Sequence, residues 1–329
     1  MHKHYFVAGS PVQLQVSAGI AFYPHDADAG VAELLQHADL ALSDAKSSHG
    51  SSIRFFDPTL AEIAKQRQRL ENDLRRAIRA GQFVLFLQPI VDLAQNALAG
   101  AEVLLRWQHP EHGLVPPDAF IPLAEETGLI NDIGLWVLEA AGKQLAAWQQ
   151  AGLPLYLSVN VSGRQIPDGL PPGILVDQAT RLGFSPTSLA LEITEGVLLS
   201  DVGGAQSWLD AVRSSGFPVY LDDFGTGYSS LSYLKRFCVD RLKVDKSFVR
   251  DIGTNLGDRA LVAAVTAMAR SFEIDVVAEG VEDAEHVRLL RHMGCRYAQG
   301  YYFSRPVPIA SFLEVSERIP VLLRATLDA

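Results

Sequence analysis

A segment rich in carboxylates and glycines, residues 218–231, has the composition of a binding or catalytic site. It follows an apolar segment and contains the adjacent acids Asp222 and Asp223, then two glycines and several hydroxyl side chains. Neighbouring carboxylates repel each other unless a proton or a cation lies between them. α/β enzymes place their ligands at the carboxyl ends of strands, so this pattern favours a site there. A solvated turn capped by an aspartate would have the same local composition.

Further polar residues recur where other predicted strands should end, namely Glu102, Asn160, Glu192, Lys243, Glu279 and Gln299. A single acid in a strand can be a paired structural group, but several acids at one barrel mouth would need counterions. Oxygen ligands without His or Cys favour Mg²⁺ or Mn²⁺ over zinc. Five carboxylates and an amide suffice for two such ions, and paired ions suit phosphoester hydrolysis. Lys243 would lie near the attacking water or the developing charge, unless it forms a salt bridge with Asp222 or Asp223.

The elements that must position these residues alternate between strands and helices from residue 83 onward. The first two strands, 83–91 and 98–107, are joined by too few residues for a crossover helix and should be antiparallel. Later strands are predicted at 155–160, 188–194, 217–221, 241–245, 274–278 and 297–303. Helices are predicted at 118–128, 131–151, 173–182, 203–215, 229–237, 257–272 and 284–293. This α/β pattern predicts a TIM-type (β/α)8 barrel with an antiparallel first strand.

Strand alternation assigns directions to several side chains. If Glu102 points into the barrel, Val103 points outward to the helices. On the strand 241–245, Arg241 and Lys243 should both point inward.

Residues 1–57 read as a small N-terminal α/β fragment, with strands at 14–22 and 52–56 and a helix at 31–45. This fragment is too small to bury a core of its own, and residues 1–13 show no clear pattern. The prediction continues with a charged linker helix at 58–81, the barrel at 82–320 and a C-terminal tail at 321–329.

Composition restricts the classes of protein. The chain has 329 residues and a formal net charge of −10, which argues against binding to a nucleic-acid polymer. No segment is long and apolar enough to span a membrane, and two cysteines fit a reducing cytoplasm. We therefore expect a cytoplasmic protein, or the cytoplasmic part of a larger membrane-bound sensor, and a homodimer is compatible with the sequence. We expect His109 and His112 to be surface residues and not metal ligands.

Residues 66–318 resemble an EAL domain, the barrel phosphodiesterase that hydrolyses cyclic di-GMP to linear 5'-pGpG. The resemblance rests on Glu-Val-Leu at 102–104, Asn-Val-Ser at 160–162, Glu-Ile-Thr-Glu at 192–195 and Asp-Asp-Phe-Gly-Thr-Gly at 222–227. Val103 departs from the family's usual Ala, and we expect it to be tolerated because it faces the helices.

The resemblance implies a role for each matched residue. It implies that Mg²⁺ or Mn²⁺ is bound by Glu102, Asn160, Glu192, Asp222 and Asp223. It assigns catalytic roles to Lys243, Glu279 and Glu195, with Glu195 holding the loop after Asp223. It assigns cyclic di-GMP, the expected partner, to Gln88, Arg106 and Gln299.

Residues 12–57 resemble the C-terminal end of a GGDEF domain, the diguanylate cyclase fold, through segments 16–21 and 37–46. The GGDEF signature turn is absent from the sequence, so cyclase activity is not expected. Two further alternatives to the phosphodiesterase are a catalytically silent receptor for cyclic di-GMP and an unrelated barrel enzyme.

Overall fold

The protein is described here by a computed structural model that covers residues 5–7, 10–12, 15–26, 30–47, 51–200, 202–225 and 238–328. The chain divides into two compact units, Met1–Arg75 and Arg76–Ala329. The predicted helix 229–237 and the residues Thr226 and Gly227 lie outside the described residues.

The first unit contains a small α/β arrangement. Its parallel strands β3 (Ser17–Ile20) and β4 (Ser52–Phe55) are connected through the helix α1 (Val31–Ser47). The predicted small N-terminal α/β portion is therefore present. An antiparallel pair, β1 (Tyr5–Val7) and β2 (Ser10–Val12), lies in the segment without a clear pattern. Strands of three residues are too short to show the alternation on which sequence-based prediction depends.

A long helix, α2 (Pro58–Ala80), follows as predicted and ends one residue before Gly81. Its composition is strongly charged, with apolar residues at helical spacing.

Eight strands of the second unit form the closed barrel. They are β5 (Phe83–Asp92), β6 (Ala97–His109), β8 (Tyr156–Asn160), β9 (Leu189–Thr194), β10 (Val219–Phe224), β11 (Arg241–Val244), β12 (Asp275–Ala278) and β13 (Tyr297–Gln299). Strand β5 is antiparallel to both of its neighbours, β6 and β13, and closes the barrel. The remaining neighbours are parallel. The predicted barrel with an antiparallel first strand is confirmed.

In the described part of the chain, six helices of the second unit lie close to predicted positions, and three, at 195–200, 246–249 and 309–328, lie where no helix was predicted. They are α3 (Ile121–Thr127), α4 (Ile130–Gln150), α5 (Pro172–Leu182), α6 (Glu195–Ser200), α7 (Val202–Ser214), α8 (Lys246–Val249), α9 (Leu256–Ser271), α10 (Ala284–His292) and α11 (Ile309–Asp328). Helix α11 continues through most of the segment predicted as a tail. Pro320 lies inside this helix.

Two short strands extend the sheet outside the barrel, β7 (Gly113–Val115) beside β6 and β14 (Val307–Pro308) beside β5. Next to β7, His109 is buried beside Trp107, with its ring centroid 4.9 Å away, and stacks on His112 at 4.5 Å. The expectation that His109 is a surface residue was wrong, because β7 folds back over the end of β6.

The barrel interior is filled in layers. The guanidinium carbon of Arg241 lies 4.6, 4.9 and 3.9 Å from the ring centroids of Tyr156, Tyr220 and Tyr297, which belong to three different strands. Arg241 therefore points inward, as predicted, and stacks in the lower part of the barrel through cation–π contacts. Among the described helices, none is long and apolar enough to cross a membrane.

Candidate active site

The centre of the site is the ammonium group of Lys243, one strand layer above Arg241. Lys243 is 1% exposed. Its Nζ atom lies close to four carboxylates, at 2.7 Å from Glu192, 2.7 Å from Glu279, 3.2 Å from Asp222 and 3.3 Å from Glu102. Because these acids come from β6, β9, β10 and the end of β12, one buried cation connects four parts of the barrel.

Burial and the close charges act on these groups in opposite directions. Burial alone would lower the pKa of Lys243, but the four carboxylates raise it well above its ordinary value. Burial also opposes ionisation of Glu102, yet Lys243 and amide donors lower the pKa of this acid. At Glu279, burial raises the pKa to about 7 despite the contact with Lys243. Glu192 is the most enclosed of these acids, and burial raises its pKa well above the usual range.

Three side-chain amides, those of Gln88, Asn160 and Gln299, also belong to this polar cluster. Asn160 donates from Nδ2 to Glu102 Oε1 at 2.9 Å, and Gln299 donates from Nε2 to Glu102 Oε2 at 2.7 Å. The same Gln299 nitrogen lies 2.9 Å from Gln88 Oε1. Glu102 is thus held by two amides from β8 and β13 and by Lys243, which fixes the orientation of its carboxylate.

Three further predicted site residues are Asp223, Arg106 and Glu195. Asp223 has a φ angle of 55° beside a register shift in β10, so it turns away from the strand directly after Asp222. Burial, followed by the charge of Asp222, raises the pKa of Asp223. Arg106 donates from Nη1 to the Leu105 carbonyl at 2.8 Å and lies 5.6 Å from the Phe86 ring centroid. Glu195 is half-buried and begins α6.

Val103 lies on the outer side of the barrel. It is 4% exposed and shares an apolar cavity of about 460 Å³ with Ile133 and Val137 of α4. Glu102, the preceding residue, lines the opposite, polar cavity. The predicted strand phase is therefore confirmed.

The side chains at this site have the chemistry that a hard divalent cation requires, although four of the acids contact Lys243. Within the described ranges, no three His, Cys, Asp or Glu side chains are arranged to hold one metal ion together. However, the donor set consists of oxygen atoms, and the acids outnumber the single lysine. The buried Oε1 atom of Glu192 has no hydrogen-bond partner, which is the kind of orphaned acceptor that a cation satisfies. We conclude that the donor set fits such an ion.

The polar cavity at this site has a volume of about 480 Å³ and extends beyond the predicted residues. Its lining also includes Lys246, Ser247, Arg250 and Tyr301. Sequence patterns missed these residues because they follow strand ends in loops and a four-residue helix. Their closeness in sequence to Lys243 and Gln299 was the one signal that could have identified them as residues of the site.

These observations define the class of protein. It is an α/β barrel with a reversed first strand and an acidic site, centred on a lysine, at the strand ends. The sequence profile of the EAL domain matches residues 71–306, and the chain belongs to this family.

The chain is similar to several signalling proteins. It is 36% identical over 310 residues to MucR of Pseudomonas aeruginosa, described as a bifunctional diguanylate cyclase/cyclic di-GMP phosphodiesterase. That match covers 94% of this chain and 45% of MucR. It is 38% identical over 311 residues to NbdA of the same organism, described as a cyclic di-GMP phosphodiesterase, covering 93% of this chain and 39% of NbdA. The chain spans about two fifths of NbdA and less than half of MucR.

Solved structures agree in fold. The complex described as PaMucR phosphodiesterase with c-di-GMP is 38% identical, with a TM-score of 0.71, and covers 74% of this chain and 99% of that one. The FimX EAL domain from Pseudomonas aeruginosa, bound to c-di-GMP, is 26% identical with a TM-score of 0.67, covering 72% of this chain and 96% of its own.

Proposed function

We propose that the second unit hydrolyses cyclic di-GMP to linear 5'-pGpG in a reaction that depends on Mg²⁺ or Mn²⁺. The observation that carries this proposal is the convergence of Glu102, Glu192, Asp222 and Glu279 on one buried lysine at the barrel mouth. Relatives described as cyclic di-GMP phosphodiesterases and a c-di-GMP complex of similar fold support the choice of substrate.

The divalent ions would be held by Glu102, Asn160, Glu192, Asp222 and Asp223. Once bound, such ions supply Lewis-acid stabilisation of phosphoryl oxygens and lower the pKa of water. Three of these acids, Glu102, Glu192 and Asp222, also contact Lys243, so lysine and metal would share them.

The chain's own residues would then perform the remaining steps. Glu279, whose pKa lies near 7, accepts the proton from the attacking water. The water oxygen forms a bond to phosphorus as the bond from phosphorus to the 3'-oxygen breaks. The departing 3'-oxygen takes up a proton from solvent and Glu279 returns its proton to solvent, which leaves a 5'-phosphate and a free 3'-hydroxyl. Lys243 stabilises the negative charge that develops on the phosphoryl oxygens. Gln88, Arg106 and Gln299 hold the dinucleotide, and Glu195 supports the loop after Asp223.

A catalytically silent receptor for cyclic di-GMP is the second candidate. It is favoured by one observation, namely that no three His, Cys, Asp or Glu side chains of the described residues are arranged to hold one metal ion. In that case the dinucleotide would bind without being cleaved.

Chromatographic detection of 5'-pGpG separates the two candidates. We expect the purified chain to convert cyclic di-GMP with Mg²⁺ or Mn²⁺, to stop in excess EDTA and to recover when the metal is restored. Asp222→Asn, prepared in parallel, should be inactive because it removes a carboxylate charge from the cluster. Binding without any product at saturating metal would establish the receptor instead.

We also propose that the first unit is the C-terminal remnant of a GGDEF domain. In its support, the match to MucR covers 310 residues, whereas the second unit contains only 254, so part of the first unit is matched as well.

A further inference from the structure

The cavity at the acid cluster is lined by two groups of charged residues. On its floor, Glu102, Asp222 and Glu279 face the single cation Lys243. The same cavity is also lined by Lys246, Arg250 and Glu282, two cations and one acid, which we call the positive wall. A ligand that fills this cavity therefore meets a site suited to metal-assisted chemistry and, beside it, a wall with excess positive charge.

Lys246 begins the helix α8 and Arg250 directly follows it, and α8 is held by a capping hydrogen bond and by packing against a glycine. Its first turn is capped by Asp245, whose side chain accepts a hydrogen bond from Ser247 N at 2.9 Å. The ring of Phe248 packs on Gly225, where an added Cβ would lie 2.8 Å from the ring. α8 thus rests against the segment that follows Asp223.

Lys246 is positioned by a second glycine. Gly280, directly after Glu279, has a φ angle of +72°, and a Cβ at this position would lie 2.6 Å from the Cβ of Lys246. This close approach holds the base of the Lys246 side chain beside Glu279. Arg250 follows four residues later, with its N–H bonded to the Lys246 carbonyl at 2.9 Å, so both side chains lie on the same helical face.

Both cations are available to a ligand. Arg250 contacts Asp251 at 3.3 Å in an ion pair whose side chains are 66% and 47% exposed, and such exposed pairs contribute little stability. Lys246 is exposed and forms no ion pair with any acid in the part of the chain that the structure describes. Neither cation is therefore committed to a strong internal partner.

We propose that Lys246 and Arg250 form a subsite for the second phosphodiester group of the cyclic dinucleotide, the one that is not attacked. This inference rests on the proposed substrate. Cyclic di-GMP carries two phosphodiesters, each with one negative charge, and the single lysine among the acids, Lys243, can face only one of them. The other would be repelled by the carboxylates and attracted to the wall, where an arginine and a lysine can donate charge-assisted hydrogen bonds.

The test measures binding and turnover of cyclic di-GMP in the full chain. We expect Lys246→Gln and Arg250→Gln each to raise KM, and to raise Kd measured by calorimetry with Ca²⁺, by about 10-fold, as for a lost charged hydrogen bond. The value of kcat should stay within about twofold, because these side chains would bind the substrate and the transition state equally well. Lys246→Arg should restore most of the affinity.

A matched control removes two positive charges elsewhere. Lys143 and Arg181 both pair with Glu139, outside the cavity, so Lys143→Gln with Arg181→Gln should leave Kd unchanged. Unchanged Kd in both wall variants, with native melting temperatures, would overturn the subsite, as would an equal loss in the control. If the parent chain binds cyclic di-GMP but yields no product, the phosphodiesterase proposal fails, while the Kd comparison still decides the subsite.

Discussion

Lys243 acts as an internal counterion for the acid cluster. The sequence left two roles open for Lys243, a position near the reacting phosphate or a salt bridge to a neighbouring aspartate. The structure shows salt bridges to Asp222 and to three glutamates. These roles are compatible, because an ammonium group within hydrogen-bond distance of Glu279 also lies next to the cavity in which the phosphate would bind.

Lys243→Ala tests this role. We expect turnover of cyclic di-GMP to fall about 100-fold or more, since a contact to developing charge is lost. Dinucleotide affinity, measured with Ca²⁺ in place of the catalytic metal, should change much less. The buried carboxylates also lose their partner, so the melting temperature without divalent metal should fall. Equal losses of affinity and turnover would make Lys243 a substrate anchor and contradict the mechanism.

Val103→Ala tests the strand phase. The side chain faces the apolar cavity next to α4, not the acids, so turnover should remain within a few-fold of the parent. Loss of two buried methyl groups should reduce the free energy of unfolding by about 1–2 kcal/mol. Stability from urea titration and steady-state kinetics measure the two effects separately. A decrease in kcat on the order of 100-fold in a folded variant would mean that Val103 reaches the site.

At the scale of elements, the carboxyl ends of the strands depend on the connections that follow them. The short helix α8 lies between the segment after Asp223, through Phe248 against Gly225, and the segment after Glu279, through Lys246 against Gly280. Displacement of α8 would therefore disturb both segments, although each follows a different strand.

Gly280→Ala tests this coupling against a matched glycine. Both Gly280 and Gly216 have positive φ angles, of 72° and 90°, so alanine should strain the backbone by about 1–3 kcal/mol at either position. Only at Gly280 does the added Cβ meet another residue closely, at 2.6 Å, whereas at Gly216 the nearest atom is 3.4 Å away. We expect kcat/KM to fall more than about 10-fold in Gly280→Ala alone, through displacement of Glu279 and Lys246. Similar kinetics in the two variants would show that α8 does not position the site.

At the scale of the whole molecule, the barrel unit contains every residue of the proposed site. The c-di-GMP complex of similar fold covers 74% of this chain and 99% of its own, so that relative consists of little more than the barrel. A chain of residues 58–329, which keeps α2 whole, should unfold cooperatively and bind cyclic di-GMP with a Kd within a few-fold of the full chain. Calorimetry and thermal unfolding provide the measurements. Loss of cooperative unfolding would show that residues 1–57 are needed for the barrel to fold.

The sequence by itself determined the order of elements and the phase of the key strands. The short connection between β5 and β6 required an antiparallel pair, and period-two alternation placed Glu102, Arg241 and Lys243 inside the barrel. These inferences succeed because they depend on neighbouring residues and on chain geometry. Local information failed at the three-residue strands β1 and β2, which are too short to show a period.

Only the tertiary structure decided which side chains meet. Glu102 and Lys243 are separated by 141 residues, and their contact at 3.3 Å results from barrel closure and strand register. The close approach of Lys246 to Gly280 likewise depends on how the short helix α8 packs against the segment that follows β12. No local pattern encodes such distances, because they are set by the closure of the whole sheet and not by the residues adjacent in the chain.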